Sequence, residues 1–478
     1  MGTNVTPESV GIPSSAIAGF IKRLDQLHVP MHSLLISRNK QLAFEAYYAP
    51  FEKETLHRMF SAGKSMTSIA IGQLAHEGRL SLDDPIADHF RELLPEHPHP
   101  YMMAMTIKDM LTMTTCHTST TYKANPAANW VASFFTTPPS HRPGTAFNYD
   151  TSATHTLGAL VQKLSGKTVL DYLRDVCLDQ IGFSQEAYMI QDPFGLVMAG
   201  SGLVAKPMDL MVFAQLLMAD GVYHGSPLLS ADYLSQATSK QVDTRAQGTF
   251  PETRVGYGYQ FWRNRSDGYS CFGMGGQLAI CLPAYDLIVV TTADTQGMAG
   301  GNQFIYDSLY EMVLPYLSDS PLHVSSEGST DLSKLLANLE VRPVAIDPDL
   351  PQATSHHHHP YTLATNPHGY SHFALEIDHT ANEGCLKYKR KGQWHQLSFG
   401  VGHMVASLFP AYEQACISSG AWVAPNTFYI KSHIIDASLG AIHFYLTFTD
   451  QGLSIFMKKV METDFLEFDG YLEGHMPL

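Results

Sequence analysis

Apolar residues recur at helical spacing between Ser14 and Leu27, where Ile17, Phe20, Ile21, Leu24 and Leu27 fall on one face behind a capping serine. The pattern predicts an amphipathic opening helix. The runs SLLISRN and QLAFEAYY follow, apolar and partly β-branched or aromatic, and they bracket the polar turn Arg38-Asn39-Lys40 as an antiparallel hairpin would. A second hairpin is predicted more than two hundred residues later, where QLAICL and DLIVVTTA flank Pro283-Ala284-Tyr285. Helical stripes lie between the two. Met66, Ile69, Ala70 and Leu74 form one that ends near Gly78, and Leu157, Leu160, Val161 and Leu164 form another, stopped at Gly166. Strands at both ends of a segment with helices between them imply one antiparallel sheet completed by sequence-distant strands, with a helical subdomain inserted and the site at the seam.

Past residue 316 the pattern dissolves into SDSPLHVSSEGSTD and PVAIDPDLPQATSHHHHP, rich in Ser, Pro and His, which reads as a linker over 317–360 with one short helix around Leu332 to Leu339. From residue 361 to 478 the runs HFALEID, GCLKYKR, WHQLSFGV, TFYIKSHIID, AIHFYLTF and LSIFMKK alternate between turn residues. Six or so strands at that spacing predict a C-terminal all-β sandwich or barrel. The domain reading is therefore 1–316, a linker, and 361–478.

Composition narrows the function classes. With 30 Lys plus Arg against 45 Asp plus Glu the net charge is −15, the wrong sign for a phosphate-backbone binder, so no nucleic acid partner is expected. The 478 residues are 16% charged and 45% hydrophobic, a balance that suits packed domains. Six cysteines without a CxxC give neither a disulfide framework nor a zinc site. No run approaches a membrane span and no signal peptide opens the chain, so a cytoplasmic protein is expected; Gly2 and Thr6 match only the loose myristoylation pattern.

Candidate chemistry is concentrated at Phe60-Ser61-Ala62-Gly63-Lys64-Ser65, a serine just before a long helix with a lysine three residues on. Positions i and i+3 share a helical face, so the Lys64 ammonium can reach the Ser61 hydroxyl. A serine hydroxyl is a poor nucleophile until a base takes its proton, and a helix N-terminus offers N–H groups where an oxyanion would form. S-x-x-K alone is a weak signal, because a capping serine beside a solvated lysine has the same pattern.

The company it keeps is more specific. MFSAGKSMTSIAIGQLAHEGRLSLDDPIADHF, MTIKDMLTMTT, PGTAFNYDTSATHTLGALVQKLSG and CFGMGGQLAICLPAYDLIVVTT, in that order over about residues 5 to 316, resemble the serine β-lactamase and penicillin-binding-protein-like superfamily, above all its class C-like serine hydrolases and esterases, the 6-aminohexanoate-dimer hydrolase group included. The resemblance implies an α/β (α+β) fold with a β-lactamase/transpeptidase-like antiparallel sheet and flanking helices. It implies Ser61 as the acylated nucleophile and Lys64 as the group that helps activate it. Tyr149 of Tyr149-Asp150-Thr151 matches the tyrosine of the family's Y-x-N motif, whose phenol shuttles protons. A lysine cation nearby stabilises the phenolate. The third motif, K-T-G or H-x-G in the family, falls on Cys271-Phe272-Gly273, which would pair the N–H of Met274 with that of Ser61 as the oxyanion hole. By the same resemblance Thr151, Cys271, Phe272, Gly273 and Gly275 lie in the substrate-binding region.

Two departures shape the expected substrate. Thr151 stands where the family has Asn, and a hydroxyl replaces a two-ended amide. Cys271 stands where the third motif opens with a cation, and a cysteine cannot grip a carboxylate by a charge-assisted bond. A small neutral ester is therefore the first expectation, an amide or peptide the next, and a β-lactam or D-alanyl-D-alanine terminus after those. A small packed residue is the preferred reading of Cys271 over a reactive thiol. Loss of turnover, leaving a binding or scaffold protein of the same fold, is the non-enzymatic alternative. No cofactor is expected and no catalytic metal: HExxH and HxHxDH runs are absent, and the His356 to His359 tract, like His97 and His99, offers incidental binding at most. No G-x-S-x-G elbow occurs, and Gly200-Ser201-Gly202 reads as a tight turn before a helix at Met208. No motif in the β domain assigns it a role; by resemblance it gates substrate or mediates assembly into a homo-oligomer.

Overall fold

The computed structural model describes residues 5–350, 360–461 and 464–475. They divide into two compact units, Met1–Leu339 and Glu340–Leu478.

In the first unit, helix α1 (Ser14–Gln26) leads into strands β1 (Met31–Arg38) and β2 (Gln41–Tyr47). Pro13, not the expected serine, occupies the cap position of α1. The β1–β2 turn is made by Asn39 and Lys40 at φ 52° and 62°, the positive values a two-residue hairpin needs. The later strands are β3 (Trp262–Arg263), β4 (Tyr269–Phe272), β5 (Leu278–Leu282) and β6 (Leu287–Ala293). The sheet runs in the order β2-β1-β6-β5-β4-β3 and is antiparallel throughout. Register places Met31 opposite Ala293 and Arg38 opposite Leu287, so the two hairpins of the sequence join at β1 and β6.

Alternation along the strands feeds two cores. Leu34 and Ile36 of β1, Leu278 and Ile280 of β5 and Val289 of β6 face α1, the helix α5 (Gln303–Met312) and the helix α6 (Ser326–Leu336). Leu35, Ala279, Cys281, Ile288 and Val290 face the other way, onto α2 (Gly63–His76), α3 (Thr151–Ser165) and α4 (Pro207–Met218). Helix α2 is buried almost all round, and so outside the single apolar stripe of its sequence. Gly166 ends α3 at φ 74°, in the left-handed conformation of a helix C-cap. Helix α6 lies inside the stretch expected to be linker. Its Leu332 is buried, with Leu335 and Leu339 packed beside the α1 core, so the first unit runs to Leu339 and not to residue 316.

The second unit is all β. Ten strands, β7 (Tyr361–Leu363), β8 (Tyr370–Asp378), β9 (Glu383–Arg390), β10 (Gln393–Gly400), β11 (Val405–Phe409), β12 (Gln414–Ala424), β13 (Thr427–Ile434), β14 (Gly440–Thr449), β15 (Gly452–Val460) and β16 (Gly470–His475), form one sheet in the order β10-β9-β8-β7-β16-β15-β14-β13-β12-β11. A parallel pairing of Gly400 with Ser419 closes it into a barrel around Phe373, Leu386, Phe399, Ile430, Phe444 and Ile455. Ten strands replace the six read from alternation.

Among the described residues no helix is long and apolar enough to cross a membrane, and no three His, Cys, Asp or Glu side chains are grouped to hold a metal ion. His99 caps the helix Pro100–Ala104 by accepting from Tyr101 N. The His356 to His359 tract lies outside the described residues.

Candidate active site

Ser61 sits in a single 3-10 turn, Phe60–Ala62, that runs directly into α2. Two anchors fix the approach: Arg58 pairs with Val204 in a short antiparallel bridge, and Met59 N donates to Leu203 O at 2.8 Å. Phe60 then takes φ 45°, a left-handed conformation that costs a bulky residue roughly 1–3 kcal/mol. Burial of the Phe60 ring beneath the Arg58 guanidinium, 4.7 Å from the ring centre, holds it there. Ser61 itself is only half-buried, at the mouth of the turn.

One helical turn on, Lys64 is 1% exposed. Its Nζ donates to Ser61 Oγ at 3.0 Å, to Thr151 Oγ1 at 3.2 Å and to Gly200 O at 2.6 Å. Three acceptors within reach match the three protons of an ammonium group, which is how a lysine withstands burial at this depth. The ring of Tyr149 lies 5.1 Å from the same Nζ. Tyr149 stacks on Trp262, with ring centres 5.7 Å apart, and meets Tyr257 edge-on at 6.2 Å. The phenol is thus steered by an aromatic wall behind it.

Asp150 and Thr151 complete that segment. Asp150 is fully buried and caps α3, its carboxylate accepting from Ser152 N, from the Ser152 hydroxyl and from Thr115 Oγ1. Burial pushes its pKa up to about 6, against the pull of those hydrogen bonds. Thr151 accepts the Lys64 proton where the family motif has Asn.

The third motif is brought to the nucleophile's turn by close backbone contact. A Cβ at Gly273 would lie 2.4 Å from Met59 O, so only glycine lets β4 approach this near. Met274 begins the turn that follows, Met274–Gly276, with Gly275 at φ 79°. Gln277, fully buried, braces the turn: its Nε2 donates to Met274 O and Ala293 O at 2.8 and 2.9 Å, and its carbonyl accepts from Gly273 N at 2.7 Å. A turn locked in this way can hold an N–H in fixed relation to a reacting carbonyl.

Cys271 does not line the open side of this site. Cys271 has no exposed surface and its thiol, pushed up to about 12 by burial, sits against Ser65 beneath α2. Its expected place in the substrate-binding region is corrected to that of a packed core residue. Phe272, half-buried on the other face of β4, packs on Tyr306 and meets at a tilt the Trp262 ring that stacks on Tyr149.

Known proteins of this architecture allow the chain to be placed. The Beta-lactamase family model matches residues 17–307, more than half of the sequence. The chain belongs to the Beta-lactamase family. Within it, the chain is 22% identical over 282 residues to the 6-aminohexanoate-dimer hydrolase of Paenarthrobacter ureafaciens, covering 54% of this chain and 71% of that protein. It is 24% identical over 273 residues to an uncharacterised Mycobacterium tuberculosis protein, covering 46% of this chain and 66% of the other, just under two thirds. It is 27% identical over 206 residues to protein flp of Staphylococcus aureus, covering 38% and 41% of the two chains. The fold agrees with that of a Bacillus anthracis protein named after 6-aminohexanoate-dimer hydrolase (TM-score 0.52, 22% identity, 61% of this chain and 79% of the other) and with that of EstCE1, a hydrolase with promiscuous acyltransferase activity (TM-score 0.50, 15% identity, 61% and 98%).

Two members of this Beta-lactamase-family site escape a sequence reading. Gly200 was read only as a turn residue, yet its carbonyl accepts the shortest hydrogen bond of Lys64. A carbonyl carries no sequence signal, although the flanking Gly-Ser-Gly marks a tight turn. Gln277 sits on the strand side of GMGGQ, and its bracing role depends on contacts to Ala293 that periodicity cannot reveal.

Proposed function

We propose that this member of a hydrolase family is a serine hydrolase that cleaves a neutral carboxylic ester, or an amide, through an acyl-enzyme on Ser61. The single observation that carries the reading is the 3.0 Å contact between Lys64 Nζ and Ser61 Oγ at a lysine 1% exposed, with the Tyr149 ring beside the same cation. In this reading Ser61 Oγ attacks the substrate carbonyl while Tyr149, whose phenolate is favoured by the adjacent ammonium, takes the hydroxyl proton. The N–H groups of Ser61 and Met274 bind the oxyanion. Collapse of the tetrahedral intermediate expels the alcohol or amine, which leaves with the proton carried by Tyr149. Water then attacks the acyl group, gives a proton back to Ser61 Oγ through the same phenol, and releases the acid. A buried cysteine where relatives carry a cation, and a threonine engaged with Lys64, favour an uncharged substrate over one with a carboxylate to be gripped.

The test is covalent. Incubation with a fluorophosphonate is expected to add one adduct, located on Ser61 by mass spectrometry, and Ser61→Ala is expected to lose both the adduct and p-nitrophenyl ester hydrolysis. Ester hydrolysis that survives Ser61→Ala, or an unlabelled wild-type protein, refutes the reading. A panel of p-nitrophenyl esters, a chromogenic cephalosporin, a D-alanyl-D-alanine peptide and 6-aminohexanoate dimer ranks the substrates.

A further inference from the structure

The carbonyl of Gly200 reaches Lys64 from the 190–202 loop, which joins the short paired strands Tyr188–Met189 and Leu203–Ala205 outside the six-stranded sheet. Its own bonds make it a tight hairpin: Ile190 N donates to Gly202 O at 2.8 Å, Met198 N to Ile190 O at 2.7 Å and Asp192 N to Leu196 O at 2.8 Å. At its tip the Asp192 carboxylate accepts from Phe194 N at 2.8 Å and Leu196 N at 2.9 Å through Oδ1. The other oxygen, Oδ2, is 3.0 Å from His155 Nε2, and the two side chains are 1% and 2% exposed.

His155 lies on α3 one turn after Thr151, and Gly158 lies almost one turn further, so the three share a helical face. That face seats the loop. A Cβ at Gly158 would lie 2.3 Å from the Ala199 Cβ, and one at Gly200 would lie 2.8 Å from Thr151 Cγ2. Ala199 O also accepts from Thr67 Oγ1 of α2 at 3.0 Å. The His155 ring meets the stacked pair of Trp130 and Tyr122 edge-on, at 5.5 and 6.0 Å. Beside Gly200, Arg58 Nε also donates to Ser201 O at 3.3 Å, whereas among the described residues the polar attachment of the loop's tip to α3 is the buried Asp192 and His155 contact.

We propose that the buried His155 and Asp192 pair is a clamp that positions the Gly200 carbonyl, and through it the Lys64 ammonium, for the chemistry at Ser61. Burial alone would raise the Asp192 pKa, but the His155 bond and the two backbone N–H groups hold it below the usual carboxylate value, so the acceptor is a carboxylate. With the clamp broken, the loop loses its polar anchor on α3 and keeps only the close packing of Ala199 and Gly200 there, so the Gly200 carbonyl can withdraw from Lys64. Without the Gly200 acceptor the ammonium is no longer fixed in the position from which it meets Ser61 Oγ. Neither His155 nor Asp192 touches the open side of the site, so both are positioning residues.

The kinetic side of this inference rests on the serine-hydrolase reading; its structural side does not. His155→Leu removes the donor at similar volume, whereas His155→Gln keeps an N–H near the place of Nε2. Misplacement of a catalytic group by about 1 Å costs up to about 100-fold. In His155→Leu, kcat for ester hydrolysis and the rate of fluorophosphonate labelling of Ser61 are expected to fall by about 10- to 100-fold with KM within about twofold, and His155→Gln is expected to restore most of the loss. Crystal structures are expected to show Gly200 O withdrawn from Lys64 Nζ in the leucine variant and returned in the glutamine variant. Wild-type labelling rates in a folded His155→Leu, equal losses in both variants, or an unmoved 190–202 loop would overturn the clamp. Should His155→Leu fail to fold, Asp192→Asn, which keeps the Oδ1 acceptor for Phe194 and Leu196, is read by the same three measures. A wild-type protein that does not label refutes the hydrolase reading, and the crystallographic comparison still decides the clamp.

Discussion

Asp150→Asn isolates the energetic cost of the carboxylate that sits between Tyr149 and Thr151. The group is fully buried, and its midpoint in the folded chain is about 6 against an ordinary 3.8. Between those values the folded protein holds a proton that the unfolded chain has released, so stability falls as pH rises through that window. Moving the midpoint this far, at roughly 1.4 kcal/mol per pH unit, makes the ionised form about 3 kcal/mol more costly than the neutral one. Asparagine is a neutral isostere and as good an N-cap, able to keep the bond from Ser152 N and to turn its amide toward Thr115. The variant is expected to gain up to about 3 kcal/mol over wild type at pH 7.5 and close to nothing below pH 4. Denaturant titrations of both proteins at pH 3.8, 5, 6 and 7.5 measure this, since the difference at each pH cancels every other titrating group. A gain that is the same at all four values, or a loss at pH 7.5, would refute the assignment of the cost to burial of the charge.

Other outcomes follow from residues around the same site. Gly273→Ala places a methyl group 2.4 Å from Met59 O, so β4 must retreat from the nucleophile's turn; a stability loss of about 1–3 kcal/mol with slowed labelling of Ser61 is expected, and an unchanged labelling rate would contradict the close approach. His57 and His117 are buried and held neutral, with midpoints near 4 in the folded chain. The unfolded chain takes up these protons near 6.5, so stability is kept above about pH 6.5 and lost as pH falls toward 4; replacing His57 by Gln should flatten part of that acid slope in denaturant titrations.

Much of the first unit was legible because its signals are local. Both hairpins, α1, and the stripes of α2 and α3 each announce themselves within about fifteen residues, and the two hairpins had no other way to bury their strands than to join. Lys64 meets Ser61 as the i to i+3 spacing implies, and motif order brings Thr151 to the same ammonium. Cys271 had two readings: motif position put it in the substrate-binding region, but alternation along β4 sends its side chain into the core under Ser65, in line with the preferred reading of a small packed residue. The short helix expected around Leu332 to Leu339 is present as α6, but it starts earlier, at Ser326, where a run of serines behind the Ser325 cap reads as linker although Gly328 and Leu332 are buried. Strand β12 was hidden by Ser418-Ser419-Gly420, which reads as a turn. In the barrel those hydroxyls are paired, Ser418 with Ser432 and Ser419 with Val344 N, and so tolerate complete burial.

The pairing of β1 with β6 also sets the order in which the site can come into being. Met31 and Ala293 face each other across about 260 residues of chain, so during synthesis at roughly 5–20 residues per second β1 waits on the order of 10–50 seconds for its partner. Throughout that interval a strand buried along its whole length in the finished protein has only β2 beside it in the sheet. Ser61 and Lys64 emerge early, but Met274 and its bracing Gln277 come last. A ribosome-bound chain ending before residue 269 therefore carries Ser61 and Lys64 without the strand that brings Met274 to them, and an unpaired edge of β1 available to other nascent chains.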